Sequence, residues 1–196
     1  MPTGKLDGRR RLGSIARTAA QTRILTAALD LFATHGVSGT SLQMIADAVG
    51  VTKAAVYHQY KTKDEIILAA AAAELATLEA VIAAAEAESS ARRRRDALVT
   101  GIVDLAIARR RTVGTILNDP VIAGYFAEDD TFSDVMHRLR ALLLGDDAGP
   151  EARVRTAMLI AAISGATMHP FVIDLDDDVL RAELVRLARR FLGLPS

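Results

Sequence analysis

Four histidines, at positions 35, 58, 137 and 169, and no cysteine make up the soft-ligand chemistry of this 196-residue chain. No two of them stand four residues apart, so no helix presents a zinc-binding pair, and without thiols there is neither a thiolate site nor a disulfide framework. A Gly-rich phosphate loop, a nucleophile elbow and a paired-carboxylate motif are equally missing from the sequence. Triads need only spatial proximity, so catalysis is disfavoured rather than excluded, and no catalytic residue, metal or cofactor is assigned. What remains is charge recognition. All four lysines, Lys5, Lys53, Lys61 and Lys63, fall in the first 63 residues, and Lys53 is followed one helical turn later by Tyr57 and His58. Lys53 can reach a guanine or a phosphate, and the Tyr57 hydroxyl can donate to a phosphate.

The charge distribution points the same way. Net charge is zero overall, yet residues 1–63 hold nine basic against three acidic side chains, and residues 64–196 hold fifteen arginines against twenty-one acids. A basic small part joined to an acidic larger one expects a polyanion for the first only. Residues 1–17 carry Lys5, Arg9, Arg10, Arg11 and Arg17 among small polar residues. They read either as a basic arm that follows phosphates or as a solvated tail. Lacking a continuous apolar core, this stretch is not expected to be a secretion signal. The alanine-rich run near residue 70 carries too many glutamates for a convincing membrane span. A cytoplasmic protein is the expectation.

The elements that must carry Lys53 and Tyr57 are legible in Thr22–Ile66. A first helix is expected from about Thr18 to His35, with Ile24, Leu25, Ala28, Leu31 and Phe32 on one face and Gly36 as its stop. Thr40 followed by Gln43 suggests a capping box opening a second helix, whose buried stripe is Leu42, Ile45, Ala46 and Val49. Gly50 then allows a tight turn. The third helix, roughly Thr52–Gln59, has Val56 as its one aliphatic residue larger than alanine. One side packs and the other stays open, offering Lys53, Ala54, Ala55, Tyr57 and His58. The small Ala54 and Ala55 would let the backbone approach base edges. Tyr57 and His58 could instead cover the small domain's core. Thr62 with Glu65 suggests a further cap, and Lys63 in the first turn behind it opposes the helix dipole unless an anion lies nearby. That makes Lys63 a candidate phosphate contact.

At this point the sequence resembles a family. Thr22-Arg23-x-x-Ile-Leu-x-Ala-Ala-x-x-Leu-Phe, Gly36, Thr40-Ser41, Ile45-Ala46, Val49-Gly50-Val51-Thr52, Tyr57 and Lys61-Thr62-Lys63-Asp64-Glu65 are similar, at fixed spacing over about 45 residues, to the TetR family of transcriptional regulators. The resemblance implies that Ser41, Gln43, Thr52, Lys53, Ala55, Tyr57, His58 and Lys63 face double-stranded operator DNA. It also implies a fourth helix whose tilt, on ligand binding, respaces two DNA readers. Val49, Ala54, Gln59 and Tyr60 depart from the family's usual residues. The changes at 54 and 59 leave the operator sequence open.

Beyond Ile66 the pattern stays helical, so the chain reads as all-α, with about nine helices. It divides into an arm (1–17), a helix-turn-helix domain (18–63) and a ligand-binding and dimerisation domain (64–196). Residues 66–88 favour one helix of about 35 Å at 1.5 Å per residue. Arg92–Arg95 reads as a solvated, salt-bridged corner between helices, and the next helix is expected from Asp96 to Arg110. Asn118-Asp119-Pro120 marks a turn before a short helix through Phe126, and another helix is expected near Ser133–Leu144. The last two helices, Pro150–Met168 and Asp177–Leu192, line up Val154, Met158, Ala161, Gly165 and Met168 on one face of the first and Leu180, Leu184, Leu187 and Phe191 on one face of the second. Such a pair suits a symmetric four-helix homodimer interface, or else internal packing. Leu105, Ile116, Tyr125, Phe126, Met136 and His169 are candidates for a pocket taking a small apolar effector, with His137 also of interest. Most such residues belong to ordinary cores. The reading favoured is a ligand-responsive regulator, a repressor that binds a palindromic operator as a dimer. The alternative is a DNA-binding helical dimer without effector response.

Overall fold

The computed structural model describes residues 17–108, 110, 130–145 and 149–194. The basic arm before Arg17, the turn at Asn118–Pro120, the helix through Phe126, and the candidates Ile116, Tyr125 and Phe126 lie outside the described residues. Within them the fold is all-helical: α1 (Ala19–Gly39), α2 (Leu42–Val49), α3 (Lys53–Gln59), α4 (Lys63–Glu86), α5 (Ala91–Ala108), α6 (Asp130–Leu144), α7 (Pro150–Ala166) and α8 (Asp177–Phe191).

Local chemistry sets these limits. Thr18 and Gln21 form a reciprocal capping box that opens α1. Gly36, at φ 73° and ψ 161°, breaks the helical path inside α1 in a conformation open essentially only to glycine. The expected start of α2 at Thr40 is off by one residue. Ser41 is the cap, its Oγ accepting from the Met44 amide at 3.2 Å. Thr40 is instead buried, its hydroxyl donating to the Gly36 carbonyl at 2.9 Å. Two adjacent hydroxyl residues both suit a cap, and Gly36 decides between them. Gly50 closes α2 at φ 75°, ψ 36°, as the expected turn requires. α5 begins at Ala91, not Asp96, because the Ser90 hydroxyl accepts from the Arg93 amide and its carbonyl from the Arg94 amide. The arginine run therefore lies inside the first turns of α5, not in a corner between helices.

Apolar side chains gather in two cores. The first joins α1, α2 and α3 through Ile24, Ala28, Phe32, Ile45, Ala46 and Val56, and takes in Ile66, Ile67, Ala70 and Ala71 of α4. The second joins α4 through α8 around Leu75, Ile82, Leu98, Val103, Val135, Leu139, Leu159, Ile163 and Val185. α4 is thus one rod of 24 residues with a few turns in each core. By length and composition it could cross a membrane; here its Ile and Leu side chains pack against the other helices. Phe132 of α6 packs against both cores.

Ion pairs fasten the outer helices. Asp96 and Asp104 of α5 pair with Arg189 and Arg181 of α8, and Arg110 with Asp177, an antiparallel ladder in which each step down one helix is a step up the other. Arg138 of α6 grips Glu86 of α4 through two hydrogen bonds, at 2.6 and 3.0 Å, and also reaches Glu79.

Candidate nucleic-acid interface

α3 is short and polar on one side, and the structure exposes that side. Val56 is fully buried, while Lys53, Ala54, Ala55, Tyr57 and His58 stay exposed. The i, i+4 spacing puts the Lys53 ammonium 5.7 Å from the centroid of the Tyr57 ring. Such a contact is worth about 0.5–1 kcal/mol at an exposed site, enough to bias both side chains without fixing them. The Thr52 hydroxyl accepts from the Ala55 amide at 3.2 Å, as Ser41 does for Met44. A hydroxyl that accepts as a cap keeps its own proton free to donate outward, to a phosphate for instance. Gln43 is exposed and its amide donates to the Asp47 carboxylate at 2.8 Å, leaving its carbonyl and second N–H available.

Lys63 takes a different place. Its Nζ donates to the carbonyls of Val37 and Thr40, at 2.9 and 3.1 Å. The premise that a cation in this first turn needs a nearby negative group holds, but the group is internal: backbone oxygens at the end of α1. Two of the three ammonium hydrogens are spent there. Lys63 thus fastens α4 to the α1–α2 junction, with its third ammonium hydrogen left to donate elsewhere.

Two arginines do related work that sequence reasoning missed. Arg23 donates to the Val49 carbonyl at 3.0 Å, tying α1 to the end of α2. Arg17, grouped with the arm, donates to the Ala69 carbonyl of α4 at 3.0 Å. Its charge also lies near Tyr60, whose phenol burial pushes above its ordinary value while Arg17 pulls it back. Tyr60 is a buried core residue that caps the C-terminal end of α3. Nothing in residue type distinguishes these arginines from exposed ones.

The candidate pocket residues do not assemble into a described cavity. Leu105 and Met136 are partly buried, Met136 within the second core. His169 is exposed between α7 and α8, where its Nδ1 accepts from the Phe171 amide at 3.3 Å, and His137 is exposed on α6. Glu74, unnoticed in the alanine run, lies buried midway along α4. Of the dimer candidates, Val154, Met158, Ala161, Gly165, Leu187 and Phe191 are exposed and Leu184 is partly buried. Leu180 is the exception. At 3% exposure it is core, because the inward stripe of α8 runs Leu180, Leu184, Ala188 by steps of four. The step of three from Leu184 to Leu187 crosses to the outer side. Among the described residues, no cluster of three His, Asp or Glu side chains could hold a metal ion.

Comparison with known proteins follows this division. The family model described as bacterial regulatory proteins, tetR family, matches residues 24–70, the first core with its share of α4. The HTH-type transcriptional regulator AcrR of Shigella flexneri is 50% identical over 50 residues, 24% of this chain and 23% of that protein. SrpR of Pseudomonas putida, of the same description, is 40% identical over 68 residues, 32% of each chain. The chain thus spans about a quarter to a third of the length of the curated relatives it matches. Whole-chain likeness is to solved structures. Mycobacterium smegmatis AmtR is 27% identical with a TM-score of 0.64, covering 96% of this chain and 91% of that one. A TetR-like transcriptional regulator from Rhodococcus sp. RHA1, at 19% identity and a TM-score of 0.69 over 91% of this chain and 98% of that one, shares the fold. Residues 24–70 thus match the model of the tetR family of bacterial regulatory proteins, and the described helices share the fold of these solved structures.

Proposed function

We propose that this protein is a cytoplasmic transcriptional regulator, not an enzyme, that binds a palindromic operator as a homodimer and acts as a repressor released by a small apolar effector. The observation that carries the reading is α3: one buried Val56 beneath an open side of Lys53, Ala54, Ala55, Tyr57 and His58. This seven-residue helix is held by Val56 and its Thr52 cap, and most of its surface is left open to a partner. In this reading Lys53 and Ala55 meet base edges, Tyr57 and the cap hydroxyls of Ser41 and Thr52 meet phosphates, and Gln43 and His58 lie within reach of either. The regulators whose N-terminal segments are similar support it. The effector would lie in the second core, beside α4, with Leu105 and Met136 as candidate lining residues; Ile116, Tyr125 and Phe126 stay candidates outside the described residues. His169, exposed, drops out of that set.

Selection from a genome-wide fragment pool followed by gel shift tests the reading. A repeated, roughly palindromic sequence should emerge, with affinity falling steeply as salt rises. Binding to every fragment alike would refute operator recognition. Thermal shift against an apolar compound library tests the effector, since a ligand at a hundred times its Kd adds roughly 2.7 kcal/mol. A compound that stabilises the protein should also release the DNA.

A further inference from the structure

Gln43 stands on α2 without the capping role that its spacing from Thr40 suggests. In the capping box that opens α1, the Gln21 side-chain oxygen accepts from the Thr18 amide at 3.0 Å, so that carbonyl is engaged by the backbone. α2 is capped by Ser41, which moves the corresponding position from Gln43 to Met44. The Gln43 side chain is exposed and turns instead to Asp47, one helical turn on, its Nε2 donating to Oδ1 at 2.8 Å.

A carboxylate accepts and cannot donate, so the Gln43 amide must face it with its nitrogen. That orientation leaves the carbonyl oxygen and one N–H for a partner outside the chain. Asp47 is itself exposed and takes no part in the ion pairs of the described residues, so its charge is open to whatever approaches α2.

A DNA duplex offers two kinds of partner. A phosphate is anionic and accepts only. Gln43 could give it a single N–H, and the carboxylate alongside would repel it. A base edge can also donate. Adenine presents N6–H and N7 side by side in the major groove, a donor and an acceptor that match the Gln43 carbonyl and its remaining N–H. Guanine presents two acceptors there, N7 and O6, and would need both amide hydrogens, one of which Asp47 already holds. Cytosine offers a donor and thymine an acceptor, so each makes one bond where adenine makes two. Without Asp47 the amide could turn over, or give both hydrogens to guanine.

We infer that Gln43 reads an adenine in the major groove, and that Asp47 is the positioning residue that fixes its amide for adenine against guanine. This rests on the operator-binding reading and names one base for it.

Full-length wild type first selects sites from a pool of random duplex DNA. Fluorescence anisotropy then measures affinity for the selected duplex and for copies changed one base pair at a time. One adenine in each half-site should lose its preference in Gln43→Ala while the other positions keep theirs. At that position Asp47→Ala should lower the affinity ratio of A·T over G·C on the order of tenfold, even where loss of a negative charge tightens binding to both duplexes. Asp47→Glu, which keeps a carboxylate at the same spacing, should restore the ratio. Both side chains are exposed, so unfolding in urea should change little. A Gln43→Ala variant that alters no position selectively would overturn the adenine assignment, as would a selective position that is not adenine. A ratio that Asp47→Ala leaves unchanged would overturn the positioning role. A wild-type chain that selects no sequence would remove the operator reading itself, and the adenine with it.

Discussion

Lys63→Met separates two roles that residue type alone cannot. The substitution keeps an unbranched aliphatic side chain and removes the donors to Val37 and Thr40. Thr40 is buried, so its carbonyl would lose a charged partner with little water to replace it. The Val37 carbonyl keeps the amide of Thr40, at 3.3 Å, and suffers less. One orphaned buried acceptor costs about 1–3 kcal/mol. Relief of the unfavourable placement of a cation at a helix start returns a few tenths of a kcal/mol, so a loss of about 2 kcal/mol is expected. For a chain of this length that lowers Tm by roughly 4–8 °C, with no DNA present.

The DNA assay supplies the decisive contrast. A lysine that neutralises a phosphate releases a counterion, and its removal flattens the plot of log affinity against log salt by about 0.9. A fastener leaves that slope unchanged and lowers affinity through a misplaced α2 and α3. The expected result is a lower Tm, weaker binding and an unaltered slope, with Lys63→Arg recovering part of the loss. An unchanged Tm with a flatter slope would refute the fastener role and make Lys63 a phosphate contact.

Three further outcomes are expected. Lys53→Ala should weaken operator binding by about 1–3 kcal/mol and relax preference at one base position, measured on a set of operator variants; a uniform loss would place Lys53 on a phosphate. Gly101→Ala should destabilise by about 1–3 kcal/mol in urea unfolding, because the new methyl would stand 2.5 Å from Val81 Cγ1 and α4 and α5 would have to part. The Glu86 carboxyl is held below its usual range, chiefly by the Arg138 hydrogen bonds, against some desolvation and with help from the Arg138 and Arg94 charges. A depressed carboxylate stabilises the fold above its unfolded pKa and loses that contribution as pH falls through the folded one. Arg138→Met should therefore be less stable than wild type at pH 7, by up to about 1 kcal/mol at so solvated a pair, and the gap should close as pH falls below the ordinary carboxylate range and through the depressed folded pKa; a gap that persists in strong acid would assign the effect to packing.

Much of the first core was legible because its signals are local. Ile24, Ala28 and Phe32 repeat at helical spacing, Gly50 supplies a left-handed turn, and Val56 stands alone on a polar helix, so burial followed from order in the chain. What escaped depended on partners far along the sequence. Lys63 meets carbonyls 26 and 23 residues away, Arg17 one 52 residues away, and no periodicity encodes either pairing. Leu180 was misjudged because a leucine stripe with steps of four, three and four has two readings, and the small Ala188 that decides between them carries no signal of its own. Ser90 shows the same at a helix start: the arginine run drew attention away from the hydroxyl that caps α5.

These particulars bear on how the two cores could influence each other. α4 is continuous, so its first turns cannot move without the rest, and both Lys63 and Arg17 bond that segment to the remainder of the first core. At the other end Arg138 grips Glu86 and Glu79, binding α4 to α6, and Phe132 of α6 reaches back to the first core. α5 is tied to α8 by its ladder of Asp–Arg pairs, and α7 and α8 carry the exposed apolar face. A change in the packing around Leu75 and Ile82 would therefore be felt along α4 at the carbonyls that precede α2, and through α5 at the exposed apolar side chains of α7 and α8. In the proposed dimer the spacing between the two copies of α3 depends on both.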